Sequence, residues 1–287
     1  MIQDIAPHKF NNAYRPDAAP RPSDPVFHFR GRDVAVRDAG EELSLPEAAI
    51  CPEGGHFRYL FAIDETPYFL YESDADLTLS GGDLQYVSVR EARRSTRMPR
   101  ALSFAVYTAL QLAQWYRDNR FCGTCGSRTG IGSTERSIVC PACGRTIYPR
   151  IVPAVIVGVI RGDELLHTKY VRARGISFYA LVAGFTEIGE TLEETVAREV
   201  MEETGLRVKH IRYFKSQPWG VADDILAGFY CDVDGDGEIR IDTSELSEAV
   251  WIKRKDIVGQ PDDASLTNHM MITFREGKEP PYVPPAP

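Results

Sequence analysis

A chain of 287 residues is long enough for about two domains, at least one of which can bury a sizeable core. Its net charge of −8 at pH 7 argues against generic nucleic-acid binding, which needs a basic surface. The N-terminus has no apolar signal segment, and no uninterrupted apolar run reaches the roughly 18 residues of a membrane-spanning helix. We therefore expect a soluble, cytoplasmic protein with no membrane partner.

The first third of the chain is predicted to be rich in short strands. Residues 1–25 are rich in Pro, Asp and Asn and are expected to form an extended arm. Strand-like pieces such as His56–Ile63 and Pro67–Tyr71 follow, separated by turn residues that include Gly81-Gly82. Apolar residues at helical spacing then predict a helix over Ala101–Asp118.

Four of the six cysteines form two C-x-x-C pairs that are separated by fourteen residues. Each pair is followed by a glycine, as in zinc knuckles. Two such pairs supply the four thiolates of a tetrahedral structural zinc site. A pair of disulfides is the alternative, which a reducing cytosol disfavours. The sequence therefore predicts a zinc ribbon, with the metal bound by Cys122, Cys125, Cys140 and Cys143.

Strand patterns continue after the ribbon. Ile151–Ile160 is an apolar, β-branched run that predicts a buried strand, and Leu165–Lys169 and Phe178–Ala183 predict two more. Further on, Ile225–Val233 and Glu238–Asp242 are predicted to form a hairpin around an Asp-Gly-Asp-Gly turn. This turn imitates the opening of an EF-hand loop, but the glutamate at the twelfth loop position is missing, so we favour the hairpin over a calcium site.

Residues 184–206, GFTEIGETLEETVAREVMEETGL, carry the most informative pattern in the chain. Thr191 and Glu194 have the spacing of a capping box, which predicts a helix that begins near Leu192. Gly205 is expected to end this helix, because glycine readily adopts the left-handed conformation of a helix terminus.

Three carboxylates share one face of this helix, since Glu199, Glu202 and Glu203 lie at positions i, i+3 and i+4. Mg²⁺ or Mn²⁺ would relieve their repulsion, bridge phosphate oxygens and acidify a bound water, as diphosphate hydrolysis requires. Arg198 is expected to pair with Glu190 and to hold the preceding loop against the helix. The competing interpretation is an ordinary acidic surface that faces solvent.

The segment fills every specified position of the Nudix box, G-x5-E-x7-R-E-U-x-E-E-x-G-U with U apolar. Around it lie the β-rich N-terminal region, the four-cysteine ribbon, Tyr148-Pro149-Arg150 and Ser216-Gln217-Pro218-Trp219. Together these features resemble the NADH pyrophosphatase (NAD⁺ diphosphatase) family of Nudix hydrolases over essentially the whole chain. The resemblance implies a homodimer that splits NAD(H) into NMN(H) and AMP, and some members of the family remove NAD caps from RNA.

The resemblance also implies the fold, which is of the α/β (α+β) class. We expect a degenerate Nudix-like N-terminal domain over residues 1–119, a zinc ribbon over residues 120–149, and a catalytic Nudix domain, an α/β/α sandwich, over residues 150–287.

The resemblance further assigns roles to single residues. It implies that catalytic Mg²⁺ or Mn²⁺ is bound by Glu199, Glu203, Glu245 and the carbonyl of Ala183. Glu202 belongs to the same cluster, and either Glu202 or Glu203 accepts the proton. For Glu245, the competing interpretation is an ordinary cap of the next segment.

A second set of residues is implied to contact the substrate. Phe185 would stack on the nicotinamide, and Tyr148 would approach the same ring from the partner subunit. The competing reading of both is ordinary packing. The remaining contacts would come from Gln217, Glu135 and Arg93, the last of which stands in an arginine cluster that could simply be solvated.

One segment departs from the family pattern. The family motif continues after its tryptophan with Pro-Phe-Pro, whereas this chain reads Gly-Val-Ala-Asp-Asp after Trp219. Carboxylates of Asp223 and Asp224 would repel phosphates, which weakens the NADH preference. The alternatives are hydrolysis of ADP-ribose or a nucleotide sugar, or a zinc-ribbon protein that binds nucleotide or RNA without catalysis.

Overall fold

The computed structural model describes residues 1–77, 83–171 and 178–284, so the predicted turn at Gly81-Gly82 lies outside the described residues. Across these described ranges, no helix is long and apolar enough to cross a membrane.

The chain folds into two compact units. The N-terminal unit comprises Ile2–Arg150 and Trp219–Asp223, and the C-terminal unit comprises Met1, Ile151–Pro218 and Asp224–Pro287. The ribbon therefore belongs to the same unit as the β-rich N-terminal region. The division into three domains stays a prediction.

The N-terminal unit contains two small sheets with an aromatic core. One sheet has the order β1-β6-β7-β2, and in the other β4 pairs with β3, β5 and β8. Fully buried rings such as those of Phe27, Tyr59 and Phe69 fill the space that these strands enclose. The strands are β1 (Phe10–Asn11), β2 (Val26–Phe27), β3 (Phe29–Arg30), β4 (Asp33–Asp38), β5 (Leu43–Ser44), β6 (His56–Ile63), β7 (Thr66–Glu72) and β8 (Leu84–Ser88).

Two helices follow these strands. Helix α1 (Val89–Arg94) begins at Ser88, whose side chain forms a capping box with Glu91. Helix α2 (Arg100–Asp118) confirms the predicted helix, and its periodic apolar residues form a buried face.

The ribbon is a three-stranded antiparallel sheet that is anchored to the N-terminal strands. Its strands are β9 (Gly130–Ile131), β10 (Ile138–Val139) and β11 (Thr146–Ile147), with β10 in the centre. The guanidinium of Arg136 donates from Nη2 to the carbonyl of Leu60 at 2.6 Å. The pairing of β6 with β7 shifts register at this point, because Leu60 is an extra residue between Tyr59 and Phe61.

The C-terminal unit is built on a six-stranded mixed sheet. The order is β15-β16-β12-β13-β17, with β14 paired to β12. The long central strand β12 runs parallel to β16 and antiparallel to β13 and β14. The strands are β12 (Val152–Arg161), β13 (Glu164–Tyr170), β14 (Val182–Phe185), β15 (Val208–Trp219), β16 (Asp224–Val233) and β17 (Leu246–Lys253).

Helices cover both faces of this sheet, because β12 is apolar on both sides. Val155 and Val157 point into a cluster with helix α3 (Leu192–Thr204), while Ile156 points into a second cluster with helix α4 (Leu266–Arg275). The predicted α/β/α sandwich is therefore confirmed.

Two predictions of strands need correction. The strand expected over Phe178–Ala183 lies instead at Val182–Phe185, because pairing with β12 begins only at Val182. The predicted hairpin is wrong, since Glu238–Asp242 is not a strand. The backbone N–H groups of Arg240 and Asp242 donate to the last carbonyls of α3, so this segment caps that helix instead of extending the sheet.

Candidate active site

The box helix has the termini that its sequence predicts. The Thr191 side chain accepts from the N–H of Glu194 at 3.1 Å, and the Glu194 carboxylate accepts from the N–H of Thr191 at 2.7 Å. At the other end, Gly205 has a φ of 70° and its N–H donates to the carbonyl of Met201. These caps fix which residues occupy the helical turns and therefore which carboxylates share a face.

Arg198 ties the loop before the helix to the helix itself. Its Nε and Nη2 donate to the two carboxylate oxygens of Glu190 at 2.5 and 2.8 Å. Nη2 also donates to the carbonyl of Phe185 at 3.0 Å. The Arg198 guanidinium lowers the pKa of Glu190 to about 2, so the pair stays ionised at neutral pH. The predicted pair is present, and it determines the path of residues 185–190.

The three carboxylates of the helix have different environments. Glu199 and Glu203 are buried, with 9% and 2% of their surface exposed, whereas the side chain of Glu202 is 60% exposed. Arg198 Nη1 donates to Glu199 at 2.7 Å and to Glu202 at 3.1 Å. Buried carboxylates are rare unless they are paired or bind a metal. Two of the three are thus not part of an ordinary solvated surface.

Gly184 allows Glu199 to reach its position. A Cβ atom at residue 184 would lie 1.9–2.2 Å from the carboxyl atoms of Glu199, so any side chain there would force the carboxylate to move. The glycine that opens the box therefore leaves room for the Glu199 carboxylate beside the backbone of β14.

Burial and mutual repulsion both raise the pKa of the inner carboxylates. Burial, together with the charges of Glu199 and Glu245, raises the pKa of Glu203 to about 8. Burial also raises the pKa of Glu199, with a contribution from Glu245. Glu245 is exposed in the turn directly before β17, and its negative charge contributes to the raised pKa of both buried groups. A divalent cation would stabilise the ionised form of all three groups.

The tyrosine at the end of β13 contacts this cluster, and no sequence motif marks it. Tyr170 accepts a hydrogen bond from the N–H of Ala183 at 2.9 Å, and its hydroxyl lies 3.2 Å from both oxygens of Glu203. Burial beside Glu203 raises the pKa of Tyr170. The only sequence signal for this residue is its place directly after the predicted strand Leu165–Lys169.

The oxygen donors of this region suit Mg²⁺ or Mn²⁺. Glu199, Glu203, Glu245 and the carbonyl of Ala183 are all hard oxygen ligands, which these ions prefer. Within the described part of the chain, however, the carboxylates do not converge as the cysteines do, since only the four cysteines place all their ligand atoms within 4.8 Å of one another. The observations that support a cation at this site are the burial of Glu203 and its raised pKa.

Two of the predicted substrate residues of the C-terminal unit have contrasting environments. Phe185 is 49% exposed, so it is not a core aromatic. Gln217 is fully buried; its Nε2 donates to the carbonyl of Ala264, and its Oε1 accepts from the N–H of Leu266 at the start of α4. These contacts give Gln217 a packing role, and its contact with substrate stays a prediction.

The other predicted substrate residues lie in the N-terminal unit. The hydroxyl of Tyr148 donates to Glu135 Oε1 at 2.8 Å, so the structure brings these two residues together. The side chain of Tyr148 is otherwise exposed. The guanidinium of Arg93 lies 5.2 Å from the ring centroid of Trp219, which gives it a cation–π contact rather than a purely solvated position.

The four cysteines converge as a structural zinc site requires. Sγ of Cys122 lies 3.7 Å from that of Cys143, and Sγ of Cys125 lies 3.5 Å from that of Cys140. A tetrahedral site with Zn–S bonds near 2.3 Å needs sulfur–sulfur separations of about 3.8 Å. Backbone N–H groups at Thr124 and Cys125 lower the pKa of Cys122, which favours the thiolate that binds metal. The residues fit a structural zinc ion, and the distances are too long for disulfides.

The altered segment after Trp219 packs within the N-terminal unit. A Cβ atom on Gly220 would lie 2.3 Å from the carbonyl oxygen of Tyr107, so the segment approaches α2 closely. Asp223 adopts a left-handed φ of 57°; burial raises its pKa, while the charge of Arg150 lowers it. Because of the close approach at Gly220, a proline at this position would clash with the backbone of α2.

Comparison with protein families identifies two segments. Residues 150–272 match the NUDIX domain, and residues 117–148 match the NADH pyrophosphatase zinc ribbon domain. The matches place the box helix and the four cysteines in the expected domains.

Curated relatives share the region that contains both segments. The NAD-capped RNA hydrolases NudC of Enterobacter sp. (strain 638) and Salmonella heidelberg (strain SL476) are each 41% identical over 162 residues, which is 56% of this chain and 62% of each relative. The match thus spans about three fifths of their length. A solved NUDIX hydrolase from Nitrosomonas europaea has a TM-score of 0.46 and 25% identity, over 55% of this chain and 91% of that one.

Proposed function

This chain is a Nudix-domain protein with an NADH pyrophosphatase zinc ribbon, and on that premise we propose that it hydrolyses the diphosphate bond of NAD(H) to give NMN(H) and AMP. The observation that carries this proposal is the buried pair Glu199 and Glu203 against the backbone of Ala183 and Gly184. A buried, mutually repelling pair of carboxylates is costly unless it binds cations.

We assign metal binding and substrate positioning to different residues of the site. Glu199, Glu203, Glu245 and the carbonyl of Ala183 would hold Mg²⁺ or Mn²⁺, which would supply positive charge to the diphosphate oxygens and acidify a water molecule. Arg198 holds the loop that carries Phe185, and the exposed ring of Phe185 stacks on the nicotinamide.

One carboxylate of the cluster must accept the proton of the attacking water. Glu202 and Glu203 are the candidates: Glu202 is exposed on the same helical face, whereas Glu203 is buried and has a raised pKa. Replacement of each by glutamine distinguishes them, since loss of the base lowers kcat at saturating metal, while loss of a metal ligand raises the metal requirement.

The direct test is incubation of the protein with Mn²⁺ and NADH, followed by chromatography of AMP and NMNH. We expect turnover by the wild type and a loss of at least about 100-fold in E203Q, as for removal of a metal ligand or base. The matched control is E193Q, because Glu193 is an exposed glutamate on the same helix. Full activity in E203Q, or no hydrolysis of any dinucleotide by the wild type, would contradict the proposal.

A second candidate substrate is an NAD-capped RNA end, and the names of the matched NudC relatives favour it. The altered segment after Trp219 favours a third candidate class, ADP-ribose or a nucleotide sugar. A competition panel with NADH, capped RNA, ADP-ribose and a nucleotide sugar ranks them by kcat/KM. A catalytically inactive nucleotide sensor would bind members of this panel without releasing any product.

We also propose that the protein acts as a cytoplasmic homodimer, in which Tyr148 and Glu135 of one subunit complete the nicotinamide site of the other. Tyr148 supports this role, because its ring is exposed while its hydroxyl is fixed by Glu135. Mixing two inactive variants, E203Q and Y148A, tests the arrangement. Partial recovery of activity in the mixture is expected, since hybrid dimers contain one site with both residues intact.

A further inference from the structure

We propose that Tyr170 is a positioning residue, which orients Glu203 and the Ala183 peptide and thereby sets the affinity of the site for Mg²⁺ or Mn²⁺. This inference rests on the proposed function for the identity of the site. It adds a residue that lies outside the box and carries no recognisable motif.

The hydroxyl of Tyr170 links the helix to the neighbouring strand. The N–H of Ala183 donates to the Tyr170 oxygen at 2.9 Å, which fixes the orientation of that peptide group. The hydroxyl lies 3.2 Å from Oε1 and from Oε2 of Glu203, while the carbonyls of Leu181 and Ala183 are more distant at 3.4 Å. A phenol has a single proton to donate, and the carboxylate is the closer and more strongly accepting partner.

An irregularity in the sheet places Tyr170 at this point. Strands β13 and β17 pair Lys169 with Glu248 and then Tyr170 with Leu246, so Ser247 is an extra residue in β17. Such bulges change the direction of neighbouring side chains and occur often beside active sites. The bulge is held in place because the Ser247 hydroxyl donates to the carbonyl of Lys169.

The same stretch of backbone also fixes the residue that carries the third carboxylate of the cluster. The N–H of Val171, directly beside Tyr170, donates to the backbone carbonyl of Glu245 at 2.8 Å. Tyr170 is thus the point at which α3, β14 and the start of β17 meet. Tyr170 contacts Ala183 and Glu203 directly, and its neighbour contacts the backbone of Glu245.

The test is the binding of Mn²⁺ alone to the full-length protein, measured at pH 7.5 by electron paramagnetic resonance of the free ion. Loss of a hydrogen-bond partner that orients a metal ligand typically weakens metal binding by about 10- to 100-fold. We expect this increase in Kd for Y170F, which keeps the ring and therefore its packing. The matched control is Y213F, because the side chain of Tyr213 is largely exposed. Its Kd should equal that of the wild type.

Two further measurements separate positioning from a general structural role. Excess Mn²⁺ should restore the kcat of Y170F, because the reacting groups themselves are unchanged. When Glu203 is already replaced by glutamine, the Tyr170 substitution should raise the Mn²⁺ Kd by a smaller factor than it does in the wild type. The hydrogen bond between Tyr170 and the Glu203 carboxylate is already altered in E203Q.

The outcomes distinguish this inference from the proposed function. An unchanged Mn²⁺ Kd in Y170F would overturn the inference, even if NADH is hydrolysed. Weakened Mn²⁺ binding in Y170F would support it, even if the wild type hydrolyses no dinucleotide and the proposed function fails. A lower Tm in Y170F with an unchanged Kd would mean packing alone and would also overturn the inference.

Discussion

The guanidinium of Arg198 holds both carboxylate oxygens of Glu190 while its remaining nitrogen contacts Glu199 and Glu202. One side chain therefore fixes the loop before the box helix and compensates part of the negative charge on the helix. This arrangement explains why an arginine and a distant glutamate belong to the same sequence pattern as the residues that we propose to bind metal.

The first prediction concerns this ion pair. R198K keeps the charge but lacks the planar fork that binds both oxygens of Glu190 and reaches the carbonyl of Phe185, so the loop should lose its fixed path. We expect kcat/KM for NADH to fall by about tenfold or more, as for the loss of a group that positions substrate. Steady-state kinetics measures the effect. The control is R240K, since Arg240 is an exposed arginine outside the loop; equal losses in both variants would contradict the positioning role.

The second prediction is a pH dependence of the metal-free protein. Burial raises the pKa of Glu203 from its ordinary value of 4.5 to about 8. Its contribution to stability is therefore complete below pH 4.5 and is lost as the pH rises through 8, because the folded state then buries a charge. In the presence of a chelator, the free energy of unfolding of the wild type should fall between pH 5 and 8, with a slope of at most about 1.4 kcal/mol per pH unit from this group, and Tm should fall with it.

The E203Q variant provides the control for this titration, since its side chain carries no charge at any pH. We expect its Tm to vary less over the same interval, and added Mn²⁺ to flatten the wild-type profile. Parallel profiles for the wild type and E203Q in chelator would show that Glu203 is not the group responsible.

The third prediction tests the close approach at the first residue of the box. G184A places a Cβ atom on the Glu199 carboxylate and must displace it. We expect Mn²⁺ affinity to fall by about tenfold or more. The control is G130A, because the nearest atom to a Cβ on Gly130 is 3.8 Å away. Isothermal titration with Mn²⁺ gives both constants, and unchanged binding in G184A would disprove the steric argument.

The fourth prediction distinguishes packing from substrate contact for Gln217. Loss of its amide in Q217L leaves the carbonyl of Ala264 and the N–H of Leu266 without their buried partners. We expect a loss of about 1–3 kcal/mol in the free energy of unfolding, measured in urea. The KM for NADH should stay within about twofold of the wild-type value, since the Gln217 amide already forms hydrogen bonds with the backbone of Ala264 and Leu266. A large rise in KM with unchanged stability would assign Gln217 to the substrate.

The fifth prediction concerns the ribbon. We expect one zinc ion per chain by elemental analysis and its loss in C143S, because three thiolates do not close a structural tetrahedral site. The ribbon should then unfold, since its small sheet has few buried residues of its own. Limited proteolysis within residues 120–149 reports this change. C51S is the control, as Cys51 lies outside the cluster.

Local patterns predicted much of this structure. The bounds of β6, the helix over residues 101–118 and both ends of the box helix follow from alternation, helical spacing and caps, all of which act within a few residues. The ribbon was predicted from the spacing of its cysteines, whereas the Nudix sandwich was predicted from the resemblance to a known family.

Local patterns could not predict the features that depend on contacts with distant parts of the chain. The predicted hairpin does not form because the backbone N–H groups of Arg240 and Asp242 donate hydrogen bonds to the end of α3. Burial of Gln217 depends on α4, and the placement of Tyr170 depends on a bulge in β17. None of these contacts has a signature near the residue concerned.

The extra residue at Leu60 has a mechanical consequence for the ribbon. Its carbonyl accepts from Arg136, the residue directly after Glu135, so the position of the Glu135–Tyr148 pair depends on a strand some seventy residues earlier in the chain. A substitution that removes the bulge from β6 would therefore displace the Arg136 end of the ribbon, although β6 itself contributes no residue to the proposed site.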